Sequence, residues 1–249
     1  MTELAGTPSD DVPEILAAGR SGITSTFVGM SARHPEGADA DYLHWHCLDH
    51  RPEQYRLASI RASSRLVSTP ACRAARAACD ERYAGVDHVT IYFLADLAVL
   101  EEGRELSAAL TAAGRIPPST LPLVERGVYG VDGGAAAPRI KVGADVLPWW
   151  PAQGVYLLVE RGEAPGSELG GVPGVGGAWW GGALTVDEFY STAEAGTWIT
   201  YCFLDDDPVA TAERLRPALE ARWTRTGVEP LLAAPFHVVD CRDWARHLP

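Results

Sequence analysis

Two segments in different halves of the chain share residue types in the same order, and this internal repeat constrains the fold more than any other feature. Residues 89–96 read VTIYFLAD and residues 199–206 read ITYCFLDD, so Thr, Phe, Leu and Asp recur at equivalent places. Both segments are apolar enough to be buried strands. A stretch of helical character follows each of them, at residues 97–113 and 208–225. The repeat therefore predicts a strand followed by a helix, once in each half.

The rest of each half completes the same pattern of elements. Further strand-like segments lie at residues 24–31, 57–67 and 123–131 of the first half and at residues 154–160, 172–184 and 231–239 of the second. The order β-α-β-β-α-β, read twice, is that of a ferredoxin-like unit. The first helix of the second half is the exception, because residues 161–171 read RGEAPGSELGG and are too short and too rich in glycine for three helical turns.

The physics of such a unit explains why it comes in pairs. A four-stranded antiparallel sheet with both helices on one face leaves its other face apolar and uncovered. We therefore predict an α+β protein in which two ferredoxin-like βαββαβ units are fused in one chain and packed sheet to sheet as a dimeric α+β barrel. The predicted regions are a loosely ordered leader at 1–21, a first unit at 22–131, a linker at 132–151 and a second, degenerate unit at 152–249. Such a chain would be a monomer with a pseudo-dimeric barrel, or a homodimer.

Composition restricts the partners and the location. A net charge of −12 repels polyanions, so nucleic acid is not an expected partner. The first residues lack the basic start and apolar run of a signal peptide, and no stretch approaches the ~18 apolar residues of a membrane helix. The five cysteines have no Cys-x2-Cys spacing, which argues against a zinc knuckle or a disulfide framework. We expect a cytoplasmic protein with free thiols and no membrane partner.

Three of the seven histidines fall in one segment, residues 42–53, which reads YLHWHCLDHRPE. With about 100° per residue, a helix here has a polar face beside an apolar one. The polar face consists of Tyr42, His46, Asp49, His50 and Glu53. The apolar face consists of Trp45, Leu48 and Pro52. We predict that Trp45 and Leu48 enter the core, that His46 and Asp49 line a cleft beside the sheet together with His50, and that His44 points to solvent.

A histidine in a cleft is the side chain most readily used as a general acid or base near neutral pH. His46 and His50 are therefore candidate catalytic residues. Asp49 is the candidate for orienting an imidazole and raising its basicity, and Glu53 has suitable spacing for the same role. The alternative for His50 is structural, with its ring bonded to the carbonyls that are freed where Pro52 ends the helix.

The same spacing argues against a metal site. His44 and His46 lie about 200° apart on a helix and cannot share an ion. His46 and His50, four residues apart, could do so only with further ligands such as Asp49 or His88. We predict neither a metal site nor a bound cofactor. Haem, with one histidine as axial ligand, is an alternative that the residues do not specify.

Aromatic residues elsewhere are candidates for binding a substrate. Tyr92 and its near counterpart Tyr201 lie in the repeated strands and could present hydroxyl groups to a cavity, although tyrosine in a strand commonly serves packing. Trp179 and Trp180, flanked by glycines, could line an apolar pocket or fill the core. Tyr42, Trp45 and Glu53 complete the predicted substrate-binding set.

Trp45, His50, Pro52 and Glu53 resemble the Trp-x4-His-x-Pro signature that ends the first helix of EthD-like proteins in the dimeric α+β barrel superfamily. The resemblance covers about residues 22–131, and it lacks the Pro-Gly-Phe-like turn that usually follows the signature. It implies a small hydrophobic or aromatic ligand held between helix and sheet. The superfamily includes cofactor-free monooxygenases, cyclases, isomerases and haem proteins. We therefore expect an enzyme that moves a proton on an aromatic or carbonyl substrate, with a noncatalytic binder and a haem or metal protein as alternatives.

Overall fold

The computed structural model describes residues 4–117 and 120–249, and the first half contains the predicted elements in the predicted order. Its strands are β1 (Ser25–Ser31), β2 (Ile60–Val67), the short β3 (Ala78–Cys79), β4 (His88–Leu94) and β5 (Leu123–Gly130). Its helices are α1 (Pro13–Ala18), α2 (Asp39–Trp45), α3 (Arg51–Gln54), α4 (Pro70–Ala74) and α5 (Val99–Ala112). A π-helical turn, His46–His50, joins α2 to α3.

The second half repeats the strand plan and the long helix before the last strand, but it lacks a counterpart of the helix formed by α2 and α3. Its strands are β6 (Gly133–Ala136), β7 (Gly154–Arg161), β8 (Val175–Gly182), β9 (Thr197–Leu204) and β10 (Glu229–Val238), and its long helix is α6 (Pro208–Thr226). Where the first half has α2 and α3, the second has only a 3-10 turn, Ser167–Gly171. The prediction that this segment cannot form three helical turns is confirmed.

The two halves have the same strand order and close into one barrel. The order is β5-β1-β4-β2 in the first half and β10-β7-β9-β8 in the second, with antiparallel pairing throughout. The two half-sheets are joined where β2 pairs antiparallel with β10, with Val67 opposite His237. At the other seam, a bridge joins Tyr129 at the end of β5 to Ala183 just after β8. The predicted fold, two ferredoxin-like units forming a dimeric α+β barrel within one chain, is confirmed.

Alternation along the strands divides the side chains between two environments. In β4, Val89, Ile91 and Phe93 point into the barrel, where residues of both halves form one core. Tyr92 and Leu94 point outward, towards α5. The outer face of the first sheet, beneath the helix that carries the three clustered histidines, is therefore a compartment separate from the barrel interior.

The helix and chain ends are fixed by ordinary local interactions. The Asp207 carboxylate accepts hydrogen bonds from the amides of Val209 and Ala210, at 3.0 and 2.9 Å, and so caps α6. Near the N-terminus, the Ser9 amide donates to the Lys141 carbonyl, which ties the segment before β1 to the stretch between the halves. Within the described residues, no helix has both the length and the apolar character needed to cross a membrane.

Candidate functional site

The histidine-bearing helix runs continuously from Asp39 to Gln54, but its π-helical turn changes which side chains face the sheet. Leu43, His46 and Cys47 are buried, whereas Leu48 is 54% exposed. The prediction that Leu48 enters the core was therefore wrong. The helical wheel assumed a constant angle per residue, and a π turn winds more slowly, so that later side chains are displaced around the axis. His44 is exposed, as predicted, and stacks on the ring of Trp244.

Between this helix and the sheet lies a cluster of buried polar groups. The imidazoles of His46 and His50 have ring centroids 5.6 Å apart. Many polar atoms of the cluster have no hydrogen-bond partner within the described chain. They are both ring nitrogens of His46, Nδ1 of His50 and of His88, Nε2 of Gln54, Nε and Nη2 of Arg65, and the Tyr92 hydroxyl. Buried polar atoms are nearly always paired, so this concentration marks a place that water or a ligand completes.

A cavity of about 270 Å³ opens beside the cluster. Its polar inner wall includes His50, Gln54 and Tyr92. Apolar side chains form much of the remainder, namely Phe27, Ile60, Leu94, Val99 and Leu100. A mostly apolar pocket with a few converging polar groups is the usual form of a small-molecule site.

The second half contributes a wall to this cavity. Phe189 and Tyr190, from the connection between β8 and β9, lie over it together with Arg126 of β5. The Tyr190 hydroxyl donates a hydrogen bond to Glu101 of α5, and the Arg126 guanidinium stacks 5.3 Å from the Phe189 ring. The site is therefore built by both halves, although its polar groups come from the first.

Burial keeps the clustered imidazoles neutral at neutral pH. Desolvation, followed by the nearby charge of Arg65, lowers the pKa of His50 to about 4 and that of His46 well below its usual value. Desolvation also lowers the pKa of His88 to about 4, against the opposing effect of its 2.8 Å hydrogen bond to Asp39. These histidines are therefore proton acceptors in the free protein.

The hydroxyl of Tyr92 is a donor. Desolvation raises the pKa of this phenol, so it stays protonated over the physiological range. Together with the amide group of Gln54, it offers hydrogen-bond donors to an oxygen atom of a ligand. The cavity thus combines an imidazole base with neutral donors.

Asp49 and Glu53 have a different partner from the one predicted. Asp49 Oδ2 accepts a hydrogen bond from Nη2 of Arg115 at 3.0 Å, and Glu53 Oε1 accepts one from Nη1 of the same residue at 2.9 Å. Trp45 Nε1 donates to the Arg115 carbonyl at 2.8 Å. These contacts fasten the helix to the end of α5. Within the described residues, no hydrogen bond joins either carboxylate to an imidazole, so the predicted orienting role is not seen, but the charge of Asp49 raises the pKa of His50 against the larger effect of burial.

Other predicted residues divide between the cluster and more distant places. The Tyr42 ring lies beneath the Arg65 guanidinium at 4.9 Å, and the Trp45 ring lies 4.8 Å from that of His50, so both pack against the cluster. Tyr201 lies inside the barrel, where its hydroxyl is 2.7 Å from Thr26 Oγ1. In the repeat, Tyr201 is equivalent to Ile91 and not to Tyr92. Because neighbouring residues of a strand face opposite sides, Tyr201 points into the barrel and Tyr92 points outward.

The tryptophans of β8 are not part of the cluster. Trp179 lies in the barrel core, with its ring 5.8 Å from Phe93, and its indole donates to the Ala144 carbonyl. Trp180 alternates to the other face of β8 and pairs with Gly133 of β6. The sequence grouped these aromatic residues with the histidines because composition does not show which face of a strand a residue occupies.

Sequence reasoning missed Arg65, Gln54 and Tyr190. Arg65 precedes Leu66 and Val67 in β2, but Arg61, Ser63 and Ser64 make the rest of the strand polar as well, so the sequence does not show that this charge is buried. Nothing near Tyr190 in the sequence connects it with a site in the other half. Within the described residues, no group of three or more His, Cys, Asp or Glu side chains is placed to hold a metal ion.

Comparisons with known proteins agree with the fold. The chain is similar to a dye-decolorizing peroxidase from Bacteroides thetaiotaomicron, with a TM-score of 0.51, 10% identity and coverage of 88% of this chain and 94% of that one. An anthrone oxidase-like protein has a TM-score of 0.49, 12% identity and coverage of 89% and 94%. A heme-binding protein from Thermus thermophilus has a TM-score of 0.47, 11% identity and coverage of 88% and 92%. No family model and no curated protein matches the sequence. At these identities the likeness concerns the fold alone.

Proposed function

We propose that the first half is the catalytic half of a small-molecule enzyme, in which His50 removes a proton from a compact aromatic or carbonyl compound. The observation that carries the proposal is the cavity of about 270 Å³ that His50, Gln54 and Tyr92 share with apolar side chains. The apolar wall suits a ring, and the three polar side chains suit one reacting oxygen and the hydrogen next to it. The resemblance to EthD-like proteins, which implies a small hydrophobic or aromatic ligand between helix and sheet, supports the same proposal.

The surroundings of His50 leave it unprotonated, and a weak base until an anion forms beside it. The imidazole is neutral before the reaction, because burial and Arg65 lower its pKa to about 4. An enolate or phenolate formed beside it would compensate the charge of the new imidazolium. Tyr92 and Gln54 would donate hydrogen bonds to the developing oxyanion, which is where donors contribute most to the rate.

His46 lies next to His50 but outside the cavity. It is 2% exposed and does not border the cavity, so it does not touch the substrate directly. Its ring lies 6.1 Å from Tyr42 and 5.6 Å from His50. We assign it a positioning role, because its unpaired nitrogens would hold any water that joins the two imidazoles.

Haem fits this site poorly. His50 borders the cavity and could in principle be an axial ligand. However, the volume of about 270 Å³ is below the ~300–1,000 Å³ of pockets for drug-sized ligands, and a tetrapyrrole is a large ligand. The proposed reaction accordingly uses only side chains.

The test measures proton abstraction directly. In D2O, the protein should accelerate hydrogen–deuterium exchange next to the carbonyl group of 2-tetralone, a bicyclic aryl ketone, as followed by NMR. We expect His50→Asn to lose about 10²–10⁴-fold of this acceleration, the usual contribution of a general base. His44→Asn is the matched control, because His44 lies on the same helix but is exposed and stacks on Trp244. It should retain the wild-type rate.

Other outcomes identify the alternatives. If 2-tetralone raises the melting temperature of wild type and His50→Asn equally and exchange stays at the solvent rate, the protein is a noncatalytic binder. If added haem gives a Soret band that is lost in His50→Asn but kept in His44→Asn, the protein is a haem protein. Either result would refute the proposed reaction.

A further inference from the structure

Two thiols meet on the side of the histidine-bearing helix away from the cavity. Cys47, in the π-helical turn, is buried in a small cluster with Leu43, Val67 and Val239, and Cys241 packs against that cluster. Cys47 and Cys241 lie close enough in this cluster for each thiol to shift the pKa of the other. The two residues are 194 positions apart in the sequence, since one belongs to the first half and the other follows β10.

Arg51 places a fixed positive charge on this pair. Its Nη1 donates to Cys241 Sγ at 3.2 Å. Its Nε and Nη2 donate to the side-chain and backbone oxygens of Ser63, each at 2.9 Å, so the guanidinium is held in one orientation. A rigid cation beside a thiol stabilises the thiolate, which is the reactive form of cysteine.

The two thiols differ in protonation and in access. The neighbouring Cys47 thiol, together with the charge of Arg51, lowers the pKa of Cys241 to about 6, and the nearness of Cys241 raises the pKa of Cys47. Cys241 is partly exposed and borders a cavity of about 350 Å³, whereas Cys47 is 4% exposed. Cys241 is therefore the more accessible and the more readily ionised of the two thiols, because it is partly exposed and accepts the hydrogen bond from Arg51, whereas Cys47 is buried.

We infer that Cys241 is a peroxide-reactive thiolate and that Cys47 is its resolving thiol. The Cys241 sulfur attacks one oxygen of hydrogen peroxide, an S–O bond forms as the O–O bond breaks, and hydroxide leaves. The product is a sulfenic acid at Cys241. The Cys47 sulfur then attacks Cys241 Sγ, the S–S bond forms, and the hydroxyl leaves as water with the Cys47 proton. Two thiols and one peroxide thus give one disulfide and two water molecules.

This disulfide would connect the C-terminal segment to the helix that carries His46 and His50. Cys47 directly follows His46 in the chain, so the bond would fix the π-helical turn on which the candidate site depends. The inference does not rest on the proposed function, since it concerns only the thiols, Arg51 and a separate cavity.

The test uses the reduced full-length protein and one equivalent of hydrogen peroxide at pH 7. After remaining thiols are alkylated and the protein is digested, mass spectrometry should find a peptide pair linked through Cys47 and Cys241. In Cys47→Ser, dimedone should trap a sulfenic acid at Cys241. In Cys241→Ser, Cys47 should remain a thiol. Both substitutions are nearly isosteric, which favours a folded protein.

Cys79 provides the matched control. It is exposed and accepts a hydrogen bond from Arg76 at 3.4 Å, so it is more accessible than Cys241 and also has an arginine beside its sulfur. Cys79→Ser should form the 47–241 disulfide as fast as wild type. In Arg51→Gln, the pH midpoint for alkylation of Cys241 should rise from about 6 towards the ordinary thiol value of about 8.5. Faster oxidation of Cys79 than of Cys241, or an unchanged midpoint in Arg51→Gln, would overturn the inference.

Discussion

The outer faces of the two sheets have the same backbone plan and opposite chemistry. Where β4 presents Tyr92 to the helix side, β9 presents Cys202, and the cross-strand partners are Ser63 in the first half and Ala178 in the second. Both tyrosine and serine carry hydroxyl groups, whereas alanine and a buried cysteine behave as small apolar residues. At equivalent places, the first half is polar and the second is not.

The next pair of positions shows the same difference. Arg65 lies opposite Thr90 in the first half, and Trp180 lies opposite Thr200 in the second. The Arg65 guanidinium donates a hydrogen bond to Thr90 through Nη1, but its Nε and Nη2 have no partner within the described residues. A tryptophan at this place brings no comparable charge into the sheet.

The packing of the long helix in the second half reflects this apolar surface. In the second half, α6 presses Leu215 and Leu219 onto Tyr156 and Leu158 in a closed apolar cluster. The buried carboxylate of Glu160 is satisfied there, by Arg222 and by the Trp223 indole. The second half therefore has the features of a stabilising unit.

The polar atoms of the first half are costly to bury. Each buried group without a partner costs on the order of 1–3 kcal/mol of stability. A duplicated unit can bear this cost in one copy because the other copy supplies an apolar core that closes the same barrel. The contrast teaches that the pseudo-twofold fold separates two tasks, a site in one half and stability in the other.

The largest expected effect is on the pH dependence of unfolding. His50 and His88 have pKa values of about 4 when folded, compared with about 6.5 when unfolded. Between pH 6.5 and 4 the unfolded chain binds protons that the native protein does not, so stability falls as pH falls. The loss should be on the order of 3 kcal/mol for each histidine, measured by urea unfolding across this range. A flat profile would mean that burial does not lower the pKa values of these two histidines.

Removing one of the two histidines sharpens this test. In His88→Asn the free energy of unfolding should fall less steeply with decreasing pH. His44→Asn, which alters an exposed ring on the same helix, should keep the wild-type slope. An identical flattening in both variants would show that the effect does not come from burial.

The second prediction concerns what the halves share. Phe93 and Phe203 occupy equivalent strand positions inside the barrel, at 0% and 3% exposure. Each Phe→Ala substitution should cost about 3–5 kcal/mol, because it removes a large buried side chain and leaves a cavity. Chemical denaturation measures both. A loss confined to one variant would break the equivalence of the two halves in the core.

The sequence was sufficient for the fold because the relevant signals are local and repeated. Alternation in residues 89–96 and 199–206 identified equivalent strands, and the glycine-rich residues 161–171 identified the missing helix. Both conclusions depend on residue types within a few positions. Closure of the barrel then followed from the need to cover two apolar sheet faces.

The site was only partly predictable. The sequence located the helix and its histidines, but the π-helical turn at His46–His50 is a hydrogen-bonding pattern that residue types do not specify. Arg115, which binds the carboxylates of Asp49 and Glu53, lies 66 and 62 positions from them in the sequence. Tyr190, which lines the cavity, belongs to the other half. Such long-range partners depend on loop paths that a single sequence does not show.

The third prediction tests the buried charge that distinguishes the halves. Arg65→Met keeps an unbranched side chain about as long as the aliphatic part of arginine and removes a guanidinium with two nitrogens that have no hydrogen-bond partner in the described chain, so stability should rise by about 1 kcal/mol despite the lost hydrogen bond to Thr90. The pKa of His50, which Arg65 lowers, should rise above about 4 when measured by NMR. Arg61→Met, at an exposed position of the same strand, should change neither quantity.

The smallest expected effect is at the contact through which the second half closes the cavity. Tyr190→Phe removes only the hydroxyl that donates to Glu101, and both side chains lie near the surface, so the free energy of unfolding should be nearly unchanged. If the connection between β8 and β9 is a cover for the site, 2-naphthol, a compact fluorescent phenol, should leave the cavity faster in this variant, as followed by stopped-flow fluorescence. Thr185→Val, at an exposed position of the same connection that does not line the cavity, should leave release unchanged. Equal release rates in Tyr190→Phe and wild type would confine the second half to stabilising the fold.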